Sequence, residues 1–253
     1  MTLPSALLLS LVQALTEFFP VSSSGHLAFV QMLLPDFQQT GLLFDLWLHL
    51  ATMVAILLYY RKDLARYLTP RGLIPLVITT AVTGGLGLLL HDVAEVAFHT
   101  MPWVAGNLMV TGLVLALASR LPQRELPAKM TPVRAALIGL AQGCAVFPGL
   151  SRSGLTVVAC LAAGLDREEA ARYTFIAAIP VILAASGYEI LKTGVALSSV
   201  DPVLYLSSFL VTFLTGFLAL ALFVPMVKRL NLQGFSLYCI IVAGGMLIVH
   251  GIR

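Results

Sequence analysis

"TEFFPVSSSGH", residues 16 to 26, decides how this chain folds. A glutamate, three serines, a glycine and a histidine interrupt an otherwise apolar stretch, and Pro20 lacks the N–H that a continuing helix needs. The segment therefore ends one helix and starts another. Ser22 to Gly25 stand at the start of the second, where serine hydroxyls cap exposed backbone amides. The same punctuation returns at "FPGLSRSG", residues 147 to 154.

The surroundings of these breaks are hydrocarbon-seeking. Of 253 residues, 59% are hydrophobic and 11% charged, against about 45–50% and about 25% in a globular chain. This composition reads as a polytopic membrane protein. The net charge of +3 is small and the basic residues are scattered, which excludes nucleic acid as a partner. Cys144, Cys160 and Cys239 lie singly in apolar stretches without metal-ligand spacing and read as small core hydrophobes. No Lys or Arg precedes the first apolar run, so no cleaved signal is expected.

Crossing about 30 Å of hydrocarbon takes about 20 helical residues. Six stretches meet that length, near 43–60, 72–90, 103–119, 172–193, 203–225 and 233–251. Two others, roughly 3–34 and 132–165, are each cut by a Pro/Gly/Ser cluster into half-length helices, the pattern of a re-entrant hairpin. Basic residues are retained on the cytoplasmic side. One threading puts Arg61, Lys62, Arg66 and Arg71 there, with Arg120, Arg124, Lys129 and Arg134, with Arg167 and Arg172, and with Lys228 and Arg229. Loops 91–101 and 194–202 then face outward, the first hairpin enters from outside and the second from the cytoplasm.

The two breaks also align without a gap at an offset of 129. Gln13, Phe18, Ser22, Ser24 and Gly25 match Gln142, Phe147, Ser151, Ser153 and Gly154. Each copy is followed by three spans, as in transporters built from inverted repeats. The expected fold is an all-α polytopic membrane protein with six transmembrane helices and two re-entrant helix-turn-helix hairpins in an interdigitated inverted-topology repeat. It forms one membrane domain, 1–253, with repeats at about 1–119 and 130–253. The copies differ at Glu17 against Val146, Ser23 against Arg152 and His26 against Leu155.

Those differences carry the chemistry. Ser22 to Gly25 and Ser151 to Gly154 occupy helix N-termini, where unpaired amides and the helix dipole favour an anion. Arg152 adds a planar fork for phosphate oxygens, and an arginine at membrane depth is costly enough to mark a site. Capping and a holding ion pair with Glu17 are the plainer readings of the serines and Arg152, compatible with function. Glu17 shares a helix face with Gln13 and is able to hold a divalent cation or act as a base. His26 is a proton relay or nucleophile. Asp45 and His49, spaced i, i+4, stand between supporting the site and forming an interfacial hydrogen bond. Glu189 with Lys192, and Glu168 and Glu169 with Arg172, read as solvated helix ends. Tyr59, Tyr60, Trp47 and Trp103 read as interfacial anchors, and His91, His99 and His250 have no partner that the sequence names.

"QALTEFFPVSSSGH" resembles the first motif of the undecaprenyl-diphosphate phosphatases of the bacitracin-resistance type, and "FPGLSRSGLT" resembles their second, PGxSRSGxT. "FDLWLHLATMVAILLYYRKD" is similar to that family's third helix, so the likeness spans nearly the whole chain. The resemblance implies hydrolysis of undecaprenyl diphosphate to undecaprenyl phosphate and inorganic phosphate, which recycles the carrier for cell-wall synthesis. It implies a Mg or Ca cofactor, a multi-pass protein of the bacterial plasma (inner) membrane and a site facing the outer, periplasmic side. The partners are a polyprenyl diphosphate lipid and the bilayer, with a homodimer as a further expectation. By position, Glu17, Ser23, His26 and Arg152 are the catalytic candidates, and Glu17 is the metal ligand. Gln13, Ser22, Ser24, Ser151, Ser153, Gly154 and Thr156 bind substrate. Gln13 stands where many relatives carry Glu, and Ser23, His26 and a water activated by Glu17 all remain open as nucleophile. A secondary transporter or flippase of a polyprenyl phosphate is the alternative, since broken helices also build transport sites. The acid-phosphatase type of lipid phosphatase fits less well, because "SRSGLTVVACLAAG" lacks its histidine.

Overall fold

Two half-length helix pairs stand where the sequence breaks, and they organise the rest. A computed structural model describes residues 1–35, 43–98, 100–121, 129–193, 201–227 and 232–252. The described residues form eleven α-helices and no strand. Helix α1 (Leu3–Thr16) and α2 (Ser23–Leu33) make the first pair, α7 (Pro132–Cys144) and α8 (Arg152–Ala162) the second. Thr2 and Thr131 cap α1 and α7 by accepting from the amides of Ser5 and Arg134. Ser22 and Ser151 cap α2 and α8, accepting from Gly25 and Gly154 at 3.3 and 3.1 Å.

Five single helices are long and apolar enough to cross a membrane: α5 (Pro70–Phe98), α6 (Met101–Ala118), α9 (Arg167–Thr193), α10 (Pro202–Val227) and α11 (Leu232–Ile252). A sixth arises if α3 (Leu43–Tyr59) and α4 (Arg61–Tyr67), bent by 85° at their junction, count together. The expected span at 43–60 is therefore a 17-residue helix that turns sharply into the seven-residue α4. Only 17% of the most apolar window of α5 is buried, so its leucines are left for lipid. The protein is a multi-pass membrane protein. Of the expected loops, residues 122–128, 194–200 and 228–231, with Arg124, Lys228 and Arg229, lie outside the described residues, as does His99.

The half-helices pack on spans from the other half of the chain: α1 lies on α10 and α7 on α5, while α6 pairs with α11 and α3 with α9. Two buried threonines fix these crossings. Thr212 of α10 donates to the carbonyl of Ser10 in α1 at 3.4 Å, and Thr83 of α5 donates to that of Gly139 in α7 at 3.0 Å. Donors and acceptors are each separated from their counterparts by the 129 positions that relate the two motifs.

Several polar readings are corrected here. Arg172 and Glu169 are not simply solvated. Arg172 pairs with Asp63, Glu168 and Glu169 at 3.1, 3.1 and 2.7 Å, and Tyr67 donates to Glu169 at 2.9 Å, which ties α4 to the start of α9. Glu189 is buried, and Lys192 pairs with Glu95 of α5 instead. Tyr60 is buried against Phe175 rather than anchored at an interface. His91 meets Asp92, Glu95 and Glu189. Cys160 and Cys239 are core residues, but Cys144 is exposed because α7 ends there.

Candidate active site

The two interhelical turns touch each other. A Cβ on Gly25 would come 3.1 Å from the Cα of Gly149, and one on Gly154 would come 3.2 Å from Pro20. These contacts are again each other's counterparts at 129 positions. Gly149 has φ +93°, and a Cβ there would lie 2.1 Å from the carbonyl oxygen of Val104 in α6, so the second turn requires glycine. Thr111 of α6 pins this turn by donating to Gly149 at 2.9 Å and accepting from the amide of Ser151 at 3.0 Å. Asn107 donates to Pro148 at 2.9 Å. In the first turn Ser22 is the strained residue, with φ +65°, a conformation that costs a non-glycine residue about 1–3 kcal/mol and concentrates at functional sites.

Where the turns meet, a cavity of about 120 Å³ is lined by Glu17, the serines 22, 23, 24, 151 and 153, Arg152 and His49. Glu17 is the hub of the polar contacts. Its Oε1 pairs with the guanidinium of Arg152, and its Oε2 accepts from Ser23 Oγ at 2.5 Å and from Gln13 Nε2 at 3.0 Å. An acid from α1's end and a base from α8's start, 135 positions apart in sequence, thus share one pocket. Ser153 Oγ donates to the carbonyl of Phe19 at 3.0 Å and so ties the second helix start to the first turn. Both capping serines spend one oxygen on an amide, and the other first-turn amides of α2 and α8 are without intrahelical partners.

Seven of the sequence-derived candidates, Glu17, Ser22, Ser23, Ser24, Ser151, Arg152 and Ser153, line the cavity together. Four do not. Gln13 is fully buried behind Glu17. Gly154 is buried under the Ser151 cap. Thr156 bonds back into its own helix, to the carbonyl of Arg152 at 2.7 Å. His26 Nδ1 donates to the carbonyl of Ser22 at 2.8 Å, and its Nε2 is 2.8 Å from Tyr238 Oη of α11, on which the ring also stacks.

His49 is the lining residue that the i, i+4 spacing identified only in part. The spacing brings His49 Nδ1 to the backbone carbonyl of Asp45 at 2.7 Å, not to its carboxylate, which accepts from Gln31 at 2.6 Å. Asn107, Thr111 and Tyr238 carried no local signal, since each acts across more than 35 positions.

These features define a multi-pass helical membrane protein in which a buried acid and a guanidinium share a serine-lined pocket. More narrowly, the chain belongs to the family described as bacitracin resistance protein BacA, whose model matches residues 6–245. It is 38% identical over 252 residues to an undecaprenyl-diphosphatase of Syntrophotalea carbinolica, covering 94% of this chain and 95% of that protein. An undecaprenyl-diphosphatase 2 of Halalkalibacterium halodurans is 35% identical, covering 96% and 94%. An undecaprenyl-diphosphatase 1 of Shouchella clausii is 38% identical, covering 96% and 95%.

Proposed function

We propose that this chain is a phosphatase that hydrolyses undecaprenyl diphosphate to undecaprenyl phosphate and inorganic phosphate. The observation that carries the reading is the pairing of Glu17 with Arg152 inside a serine-lined pocket where two helix starts converge. A polyprenyl tail needs hydrocarbon and its diphosphate needs cationic and amide donors, and a pocket between half-helices offers both. A carrier or flippase is not favoured, because the relatives named above are phosphatases.

Arg152 binds the terminal phosphate through its fork, with first-turn amides and hydroxyls of Ser22, Ser24, Ser151 and Ser153 completing the cradle. Ser23, already hydrogen-bonded to Glu17 Oε2, is the nucleophile the geometry supports best. Its oxygen attacks the terminal phosphorus as Glu17 takes its proton, the anhydride bond breaks, and undecaprenyl phosphate leaves. Water then hydrolyses the phosphoserine and releases inorganic phosphate. His26, occupied by Tyr238, braces the start of α2 rather than attacking.

A hard divalent cation suits this pocket. Gln13 Oε1 is buried without a hydrogen-bond partner on the same amide that touches Glu17, and Mg takes one or two protein oxygens together with phosphates and waters. Glu17 would hold it, braced from behind by Gln13, and bound there it would supply charge neutralisation to the substrate phosphates.

The topology belongs to the same proposal: an inverted repeat in one domain, each half contributing a re-entrant pair, the first from outside and the second from the cytoplasm. The shared 129-position register of the threonine bonds and turn contacts supports it. The proposed setting is the plasma membrane, with the pocket open to the outer side. The test is phosphate release from a short-chain prenyl diphosphate by purified protein, with and without chelator. Ser23→Ala should abolish release and His26→Ala should reduce it only partly. Full turnover by Ser23→Ala would remove the serine from the mechanism, and no release by the parent protein would remove the function.

A further inference from the structure

The geometry points to His49 as a direct ligand of the divalent cation, completing with Glu17 an imidazole-carboxylate pair. His49 lies on α3, outside the two turn motifs, and lines the pocket with 20% of its side chain exposed. Its Nδ1 is 2.7 Å from the carbonyl oxygen of Asp45. A carbonyl only accepts, so Nδ1 carries a hydrogen, and in that tautomer Nε2 is the ring nitrogen left to bind a cation. Metal-binding histidines are held in this way, the far ring nitrogen donating to a carbonyl or carboxylate.

The distance is the second observation. His49 Nε2 stands 3.5 Å from Glu17 Oε2. That is longer than the 2.7–3.2 Å typical of N–H···O hydrogen bonds. Two ligands bound at about 2.1 Å with an angle of about 90–110° between them lie about 3.0–3.5 Å apart, which is the separation seen. Gln13, buried behind Glu17, donates through Nε2 to the same Oε2 at 3.0 Å and so fixes that oxygen in place. His26 cannot substitute, because its Nε2 is engaged by Tyr238. An N,O donor set shifts preference from Ca and Mg toward Mn and its later neighbours. The chain is therefore expected to bind Mn²⁺ more tightly than Ca²⁺, through a nitrogen.

The inference rests on the phosphatase reading for the presence of a cation, and the experiment separates the two. Mn²⁺ is titrated into the purified full chain in detergent, and the bound ion is examined by pulsed electron paramagnetic resonance. Nitrogen modulation from one coordinated imidazole is expected in the parent protein, changing in kind when the histidines are labelled with ¹⁵N. It should vanish in His49→Gln, with Mn²⁺ affinity about tenfold or more weaker, and persist in His26→Gln. Mn²⁺ bound without nitrogen coupling, coupling that survives His49→Gln in protein of unchanged elution volume, or no stoichiometric Mn²⁺ binding would each overturn it. If His49→Gln does not fold, the labelled parent alone still decides whether an imidazole is bound. Loss of phosphate release with coupling intact would instead count against the phosphatase reading.

Discussion

At the scale of single residues, the site depends on an arginine that already has a partner. The Arg152–Glu17 pair is buried on the acid's side, with Glu17 3% and Arg152 21% exposed. On the proposed mechanism this arginine serves for what its fork grips rather than for net stability, since buried pairs are weak stabilisers. Lysine keeps the charge and loses the fork. Arg152→Lys should therefore lower kcat for phosphate release by about 10²-fold or more, the cost of removing one preorganised donor from a transition state. A variant with near-parental kcat would show that charge alone suffices. Sequence pattern exposed this residue because guanidinium is rare in apolar surroundings. It did not expose His49's true contact, because i, i+4 spacing gives a shared face and not which atom of Asp45 the ring meets.

At the scale of elements, the breaks matter more than the helices. Pro20, Gly149 and the serines were legible as breaks because proline and glycine punctuate a helix in any context. What pins the breaks was not legible. Thr111, Asn107 and Thr83 are ordinary small polar residues within apolar spans, and only packing shows that they hold the turns and crossings. The solvated reading of Arg172 and Glu169 failed for a related reason: their partners Asp63 and Tyr67 sit on α4, which turns 85° away from α3, and no local pattern reports such a turn. The turn around Gly149 gives the sharpest test. Gly149→Ala puts a methyl 2.1 Å from Val104's carbonyl oxygen at φ +93°, and should cost at least about 3 kcal/mol, read as a lowered thermal midpoint in detergent. Gly84→Ala, with nothing within 4 Å of the added methyl, is the control. Equal midpoints for the two would contradict the tight turn.

At the scale of the whole molecule, helix number, lipid-facing apolarity and the paired breaks were readable from composition and spacing. The exchange of partners between halves, α1 on α10 and α7 on α5, was not, since hydropathy says which segments are buried and nothing about which one buries which. The proposed inversion is tested by labelling. In a background without Cys144, Cys160 and Cys239, Thr2→Cys at the start of α1 should react with a membrane-impermeant maleimide on intact cells. Lys129→Cys, just before α7, should react only after permeabilisation. Reaction of both from the same face would rule out the inverted arrangement.

On the proposed mechanism, the closed contact between Glu17 and Arg152 also sets a threshold for entry. The carboxylate is tethered, so it never diffuses away and competes with every arriving anion for the same guanidinium. A guest dislodges it only by bringing more negative charge than the resident acid offers. A diphosphate ester does so more readily than the monoester left after reaction.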